Sequence, residues 1–122
     1  MLGQNDLRYR TIEETMESWE IILQRIREKT PDVEVHIQSV IPEWLNTFDN
    51  NDRNIKIMAC NEELKAFAEE NNCHYVDIYR FVEDHTGRMA TTYELDQSIH
   101  MNEAGCYSWM QALKAYALLE QR

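Results

Sequence analysis

Positive charge is scarce in this chain: 12 Lys and Arg stand against 22 Asp and Glu, a formal net charge of -10 over 122 residues. A nucleic-acid partner requires clustered cations that displace counterions from phosphates, and no stretch gathers more than two or three basic residues. Nucleic-acid binding is therefore not expected. Apolar runs extend only a few residues, where a spanning helix needs about 20, so no membrane span is expected either. Glycine and proline are also few, at three and two, which excludes a collagen-like or linker-rich chain. Three glycines could hardly build a Gly-rich phosphate loop. Cysteine is too sparse for a disulfide scaffold, and the odd number, Cys60, Cys73 and Cys106, leaves at least one thiol unpaired. That favours a reducing compartment. Met1-Leu2-Gly3-Gln4 leads straight into polar residues and not into a secretory leader's apolar stretch, and the expected location is cytoplasmic.

What is present is the composition of a globular domain, 43% hydrophobic and 28% charged. One domain fits this length. Thr11 and Glu14 form a capping box. Behind it Ile12, Met16, Trp19, Leu23 and Ile26 recur every three to four residues, which predicts a helix to about Lys29. Val33, Val35, Ile37 and Ile41 alternate with polar residues up to Pro42, which predicts a strand. A polar loop, 43–53, follows. Ile57, Cys60, Leu64, Phe67 and Ala68 mark a second helix from Asn54 to Asn71-Asn72, and 73–79 reads as a second strand. Residues 80–99 lack a period and contain the turn signal Asp84-His85-Thr86-Gly87, which predicts a long loop of the kind that often carries function. Asn102 caps a last helix, with Cys106, Trp109, Met110, Leu113, Tyr116 and Ala117 as its stripe, ending near Glu120. Strands alternating with helices indicate an α/β domain with a parallel sheet. Two strands alone make a marginal sheet, so further strands are expected from outside these residues.

Trp19, Trp109 and Tyr116 lie at core-facing helical spacing and read as packing; the cysteines on helical stripes read as core fillers. Cys106 stands out by its nearness in sequence to His100. Glu13, Glu17, Glu20, Glu62, Glu63, Glu69 and Glu70 read as solvated faces. His36, His74 and His85 have neither His-x-x-x-His nor Cys-x-x-Cys spacing about them, so neither a metal nor another cofactor is expected.

Two blocks carry candidate chemistry: Gly3-Gln4-Asn5-Asp6, and Asp96-Gln97-Ser98-Ile99-His100 leading into Met101-Asn102-Glu103-Ala104-Gly105. Together they resemble the SGNH (GDSL-type) hydrolases. The first is similar to that family's Gly-x-Asn-Asp block after its third strand, and the second to its final Asp-x-x-His block before the last helix. The resemblance implies a three-layer, flavodoxin-like α/β fold, of which 1–122 would be a single partial domain supplying the last strands and helices. It implies that Asn5 donates to an oxyanion and that His100 is the general base. The family's acid lies three positions before the histidine, where this chain has Gln97; Asp96 lies four before. Either the loop is one residue longer and Asp96 orients the ring, which we favour, or Gln97 does so as a neutral partner.

The family's nucleophile sits in a Gly-Asp-Ser block after the first strand, and this chain has no such block. Ser18, Ser39, Ser98 and Ser108 all lack the required turn context. Met1-Leu2 is accordingly read as the end of the family's third strand. The chain is then expected to be the C-terminal part of an ester hydrolase acting on small acyl esters, and to be inactive alone. The first remaining strand would expose an apolar edge, and homo-oligomerisation through it is expected. The alternative is a non-catalytic, self-associating or binding module built on the remains of the hydrolase fold.

Overall fold

The computed structural model describes residues 2–44 and 52–120. Its elements run α1 (Asp6–Tyr9), α2 (Ile12–Lys29), β1 (His36–Gln38), α3 (Asp52–Glu70), β2 (His74–Val76), α4 (Tyr79–Val82) and α5 (Glu103–Glu120). The capping box forms as expected. Thr11 Oγ1 accepts from the Glu14 amide at 3.1 Å while the Glu14 carboxylate accepts from the Thr11 amide at 2.8 Å.

β1 and β2 pair in parallel, with His36 opposite His74, Ile37 opposite Tyr75 and Gln38 opposite Val76. Because side chains alternate across a strand, this register sorts the core into two layers. Ile37 joins Leu7, Leu23, Val40, Ile57, Cys60, Leu64, Phe67 and Ala68 on the side of α1, α2 and α3, with Tyr75 packed against them. Val76 joins Ile41, Ile78, Val82, Met89 and Ala112 on the side of α4 and α5. Helices on both faces of a parallel sheet make the three-layer α/β arrangement that was expected.

The strands are shorter than the alternation predicts. The Ser39 amide still donates to the Val76 carbonyl at 3.0 Å, and beyond it the backbone leaves the ladder: the Val40 amide donates to Asn61 Oδ1 at 2.8 Å, and Asn61 Nδ2 donates back to the Val40 carbonyl at 2.9 Å. After Val76 the Tyr79 amide donates to Ser39 Oγ at 2.9 Å, which starts α4 where the end of a strand and a loop were expected. The Asp84–Gly87 turn does form, with the Thr86 amide donating to Asp84 Oδ1 at 2.9 Å and positive φ at His85 and Gly87. Of the predicted loop 43–53, residues 45–51 lie outside the described residues.

α5 corrects its predicted stripe. Ala112 and Gly105 are buried and Trp109 and Tyr116 half-buried, but Cys106, Met110, Leu113 and Ala117 are exposed. The helix meets the fold through small residues: a Cβ on Gly105 would lie 2.8 Å from Met101 Cβ and 3.0 Å from Tyr93 Cβ. Cys106 is thus not a core filler, whereas Cys60 is fully buried, and burial pushes its thiol up to about 11. The helix glutamates named above are all exposed, and the tryptophans pack as expected.

Candidate active site

The residues that follow the two strands meet beyond the strands' C-terminal ends, where open α/β sheets place their ligands. The N-terminal block is seated there by three contacts. Gly3, at φ +101, lies so close to Val40 that an added Cβ would be 2.9 Å from Val40 Cγ2. Gln4 Nε2 donates to the Ile41 carbonyl at 3.4 Å, and the Leu7 side chain is buried in the first core layer. Asn5, between them, is exposed at the start of α1 and makes no side-chain capping bond there.

Glu43 holds the next piece of chain. It is 2% exposed, although the sequence placed it in a polar loop. Arg53 grips its carboxylate with Nε at 2.9 Å from both oxygens and an Nη at 2.7 Å from Oε1, and Arg8 of α1 adds a contact at 3.5 Å. Asn54 closes the backbone of Glu43 from both sides, accepting from its amide at 2.8 Å and donating to its carbonyl at 3.0 Å. A buried carboxylate requires such complete pairing. Trp44 then reaches the final block, its amide donating to the Ser98 carbonyl at 2.9 Å.

The final block curls on itself. Asp96 Oδ1 accepts from the amides of Ser98 at 3.1 Å and His100 at 3.4 Å, and Asp96 Oδ2 is hydrogen-bonded to His100 Nδ1. This bond from the ring, followed by the backbone donors, holds the Asp96 carboxyl below its usual range. A carboxylate that stays ionised can only accept, so Nδ1 carries the proton and Nε2 is left as the basic nitrogen. Gln97 takes no part in this contact. It adopts left-handed backbone at φ +59, and its amide donates to Glu94 Oε2 at 2.7 Å. That turn lets Asp96 reach the His100 ring. Asn102 fixes the exit: Oδ1 caps the Gly105 amide at 3.0 Å, and Nδ2 donates to the carbonyls of Thr92 and Glu94. The His100 side chain is 67% exposed, so these residues leave it open to a reacting group.

Three of the four serines are occupied elsewhere. Ser18 Oγ accepts from Arg10 and donates to the Glu14 carbonyl, Ser39 Oγ accepts from the Tyr79 amide, and Ser108 Oγ donates to the Phe81 carbonyl. Ser98 lies two residues before His100 on the same loop, with its backbone tied to Asp96 and Trp44. A groove lined by Met58, Glu62, Lys65, Asp77 and Arg80 runs along the β2–α3 side and includes neither Asn5 nor His100.

Residues 1–106 match the GDSL-like lipase/acylhydrolase family. The chain belongs to that family. Solved structures share its fold. A Streptococcus pneumonia protein assigned the name platelet activating factor superposes with a TM-score of 0.83 at 22% identity, covering 95% of this chain and 56% of its own. A GDSL-like lipase from Bacteroides thetaiotaomicron gives 0.75 at 22% identity, covering 98% and 60%. The esterase domain of a zebrafish retrotransposon protein gives 0.72 at 16%, covering 100% and 67%. The chain therefore spans between about half and two thirds of the length of these GDSL-fold structures. The search of curated proteins returned no match.

The sequence had pointed to Asn5, Asp96 and His100. Missed were Glu43, Arg8, Arg53 and Trp44, which bind the two blocks to the strand ends. The one available signal was an acid immediately after the strand-ending proline, with an arginine and an asparagine, Arg53 and Asn54, about a helix start away.

Proposed function

We propose that this chain carries the acid–base and oxyanion part of a serine ester hydrolase that cleaves small acyl esters. The observation that carries the reading is the Asp96–His100 hydrogen bond on an exposed ring, within a chain of the GDSL-like lipase/acylhydrolase family. In this reading Asp96 fixes the ring with the proton on Nδ1, and Nε2 takes the proton of a serine hydroxyl as it attacks the ester carbonyl. Nε2 then returns that proton to the leaving alkoxide. The Asn5 side-chain amide donates to the oxygen on which charge develops. In this reading the serine is supplied from beyond these residues: Ser18, Ser39 and Ser108 are bonded elsewhere, and Ser98 is held in the His100 loop by the ties of its backbone to Asp96 and Trp44.

The test is ester turnover by the protein as its gene encodes it, with short acyl esters as substrates. His100→Ala is expected to lower kcat by about 10⁴-fold or more, and Asn5→Ala by about 10²–10³-fold, with far-UV circular dichroism unchanged in both. Unaltered turnover in the His100 variant overturns the reading.

One observation favours a second reading. Among the described residues β1 has a ladder partner on one side only, β2, and an open edge can recruit another chain. In that reading the chain is a non-catalytic module that self-associates through β1. A gene product that lacks esterase activity and is dimeric or larger by light scattering at micromolar concentration supports it; a monomer counts against it.

A further inference from the structure

At the N-terminal end of the sheet, opposite the candidate active site, the parallel register sets His36 directly beside His74. Their rings stack with centroids 4.6 Å apart and planes inclined by 17°. Glu34, just ahead of β1, turns its carboxylate onto both: Oε1 lies 2.9 Å from His74 Nε2 and 3.5 Å from His36 Nε2. One ligand atom from each residue lies within 4.8 Å of the other two.

We infer that Glu34, His36 and His74 form a site for a first-row divalent transition metal, with zinc as the fitting ion. Two imidazoles and one carboxylate are the donor types of zinc and its neighbours, while calcium and magnesium take oxygen ligands throughout. Tetrahedral zinc at about 2.0–2.1 Å from nitrogen and oxygen places its ligands about 3.3–3.5 Å apart. The two carboxylate–imidazole separations bracket that edge, at 2.9 and 3.5 Å. The imidazole–imidazole edge, at most 4.8 Å, closes by rotation of side chains that are about 40% exposed. Water completes the four-coordinate shell. Bound there, the ion ties the lead-in of β1 to the start of β2 across the N-terminal end of the sheet, so its role is to hold the two strands in register. The inference stands independently of the hydrolase reading.

Zinc is titrated into the full chain, with calorimetry for stoichiometry and the histidine ring resonances followed by NMR. The expected result is one zinc per chain, perturbing His36 and His74 and sparing His85 and His100. His36→Gln and His74→Gln are each expected to weaken binding by about ten-fold or more, Glu34→Gln to weaken it less, and His85→Gln to leave it unchanged. These side chains are partly exposed, and circular dichroism confirms that each variant is folded. A lack of uptake at micromolar zinc overturns the inference. A complex that survives both histidine substitutions, at Asp96–His100 or at the exposed Cys106, does so too.

Discussion

The two ends of the sheet each hold histidine against a carboxylate, and they are assembled by different means. Asp96 and His100 lie four residues apart in one loop, and Asp96 also accepts from the amides of Ser98 and His100, so the pair is built from local chain. Glu34, His36 and His74 have all of α3 between their two parts and meet only because β1 and β2 pair in one register. The first arrangement needs its loop; the second needs the folded sheet. A local pair depends on its own loop and survives a change of strand register, whereas a cross-strand cluster disappears with a slip of one residue, which would turn one imidazole to the opposite face.

The largest expected effect attacks the local pair. Asp96→Asn keeps the shape of the loop but removes the charge that holds the ring's tautomer, and we expect it to lower ester turnover by about 10⁴-fold. Gln97→Ala, one position along, is expected to leave kcat within about two-fold. If only the Gln97 variant slows turnover, Gln97 and not Asp96 is the partner of His100.

The next effect contrasts buried with exposed carboxylates. Glu43→Ala leaves the Arg53 guanidinium half-buried without its partner, and is expected to cost about 3–5 kcal/mol in denaturant unfolding. Glu34→Ala in metal-free buffer, at an exposed site, is expected to cost less than about 1 kcal/mol. Equal losses would mean that the arginine grip on Glu43 does not position the loop from Pro42 to Trp44.

The smallest effect concerns pH. The Asp96 carboxyl is held below the usual aspartate value of about 3.9. A lowered carboxyl stabilises the folded loop fully above that ordinary value, and the contribution is lost as pH falls through the lowered one. The carboxyl carbon of Asp96, followed by NMR, is expected to titrate below pH 3.9 and to move upward in His100→Ala. An unchanged midpoint in that variant would show that the ring does not set the carboxyl's ionisation.

Local signals in the sequence located α2 and α3 well, because a capping box and an apolar stripe each act within a few turns. α1 and α4, at four residues each, are too short to show a period. The strands were overestimated since alternation reports which face is apolar, while the ladder ends where a neighbour ends; here Asn61 and Ser39 take over the backbone. The stripe on α5 misled because apolar spacing identifies large residues, and this helix makes its close approach through Gly105 and Ala112. Within the site, the two blocks were legible as short motifs, but the seating of Asn5 and the burial of Glu43 depend on residues far along the chain.

By itself the sequence determined the order of the three long helices and the two strands, the two blocks, and the four-residue interval that lets Asp96 return to His100, because each depends on bonds between near neighbours. Only the tertiary structure decided that Arg8 and Arg53 converge on Glu43, that Trp44 joins the final loop through Ser98, and that His36 meets His74. Those contacts arise from strand register and packing, which bring together groups that the chain itself keeps apart.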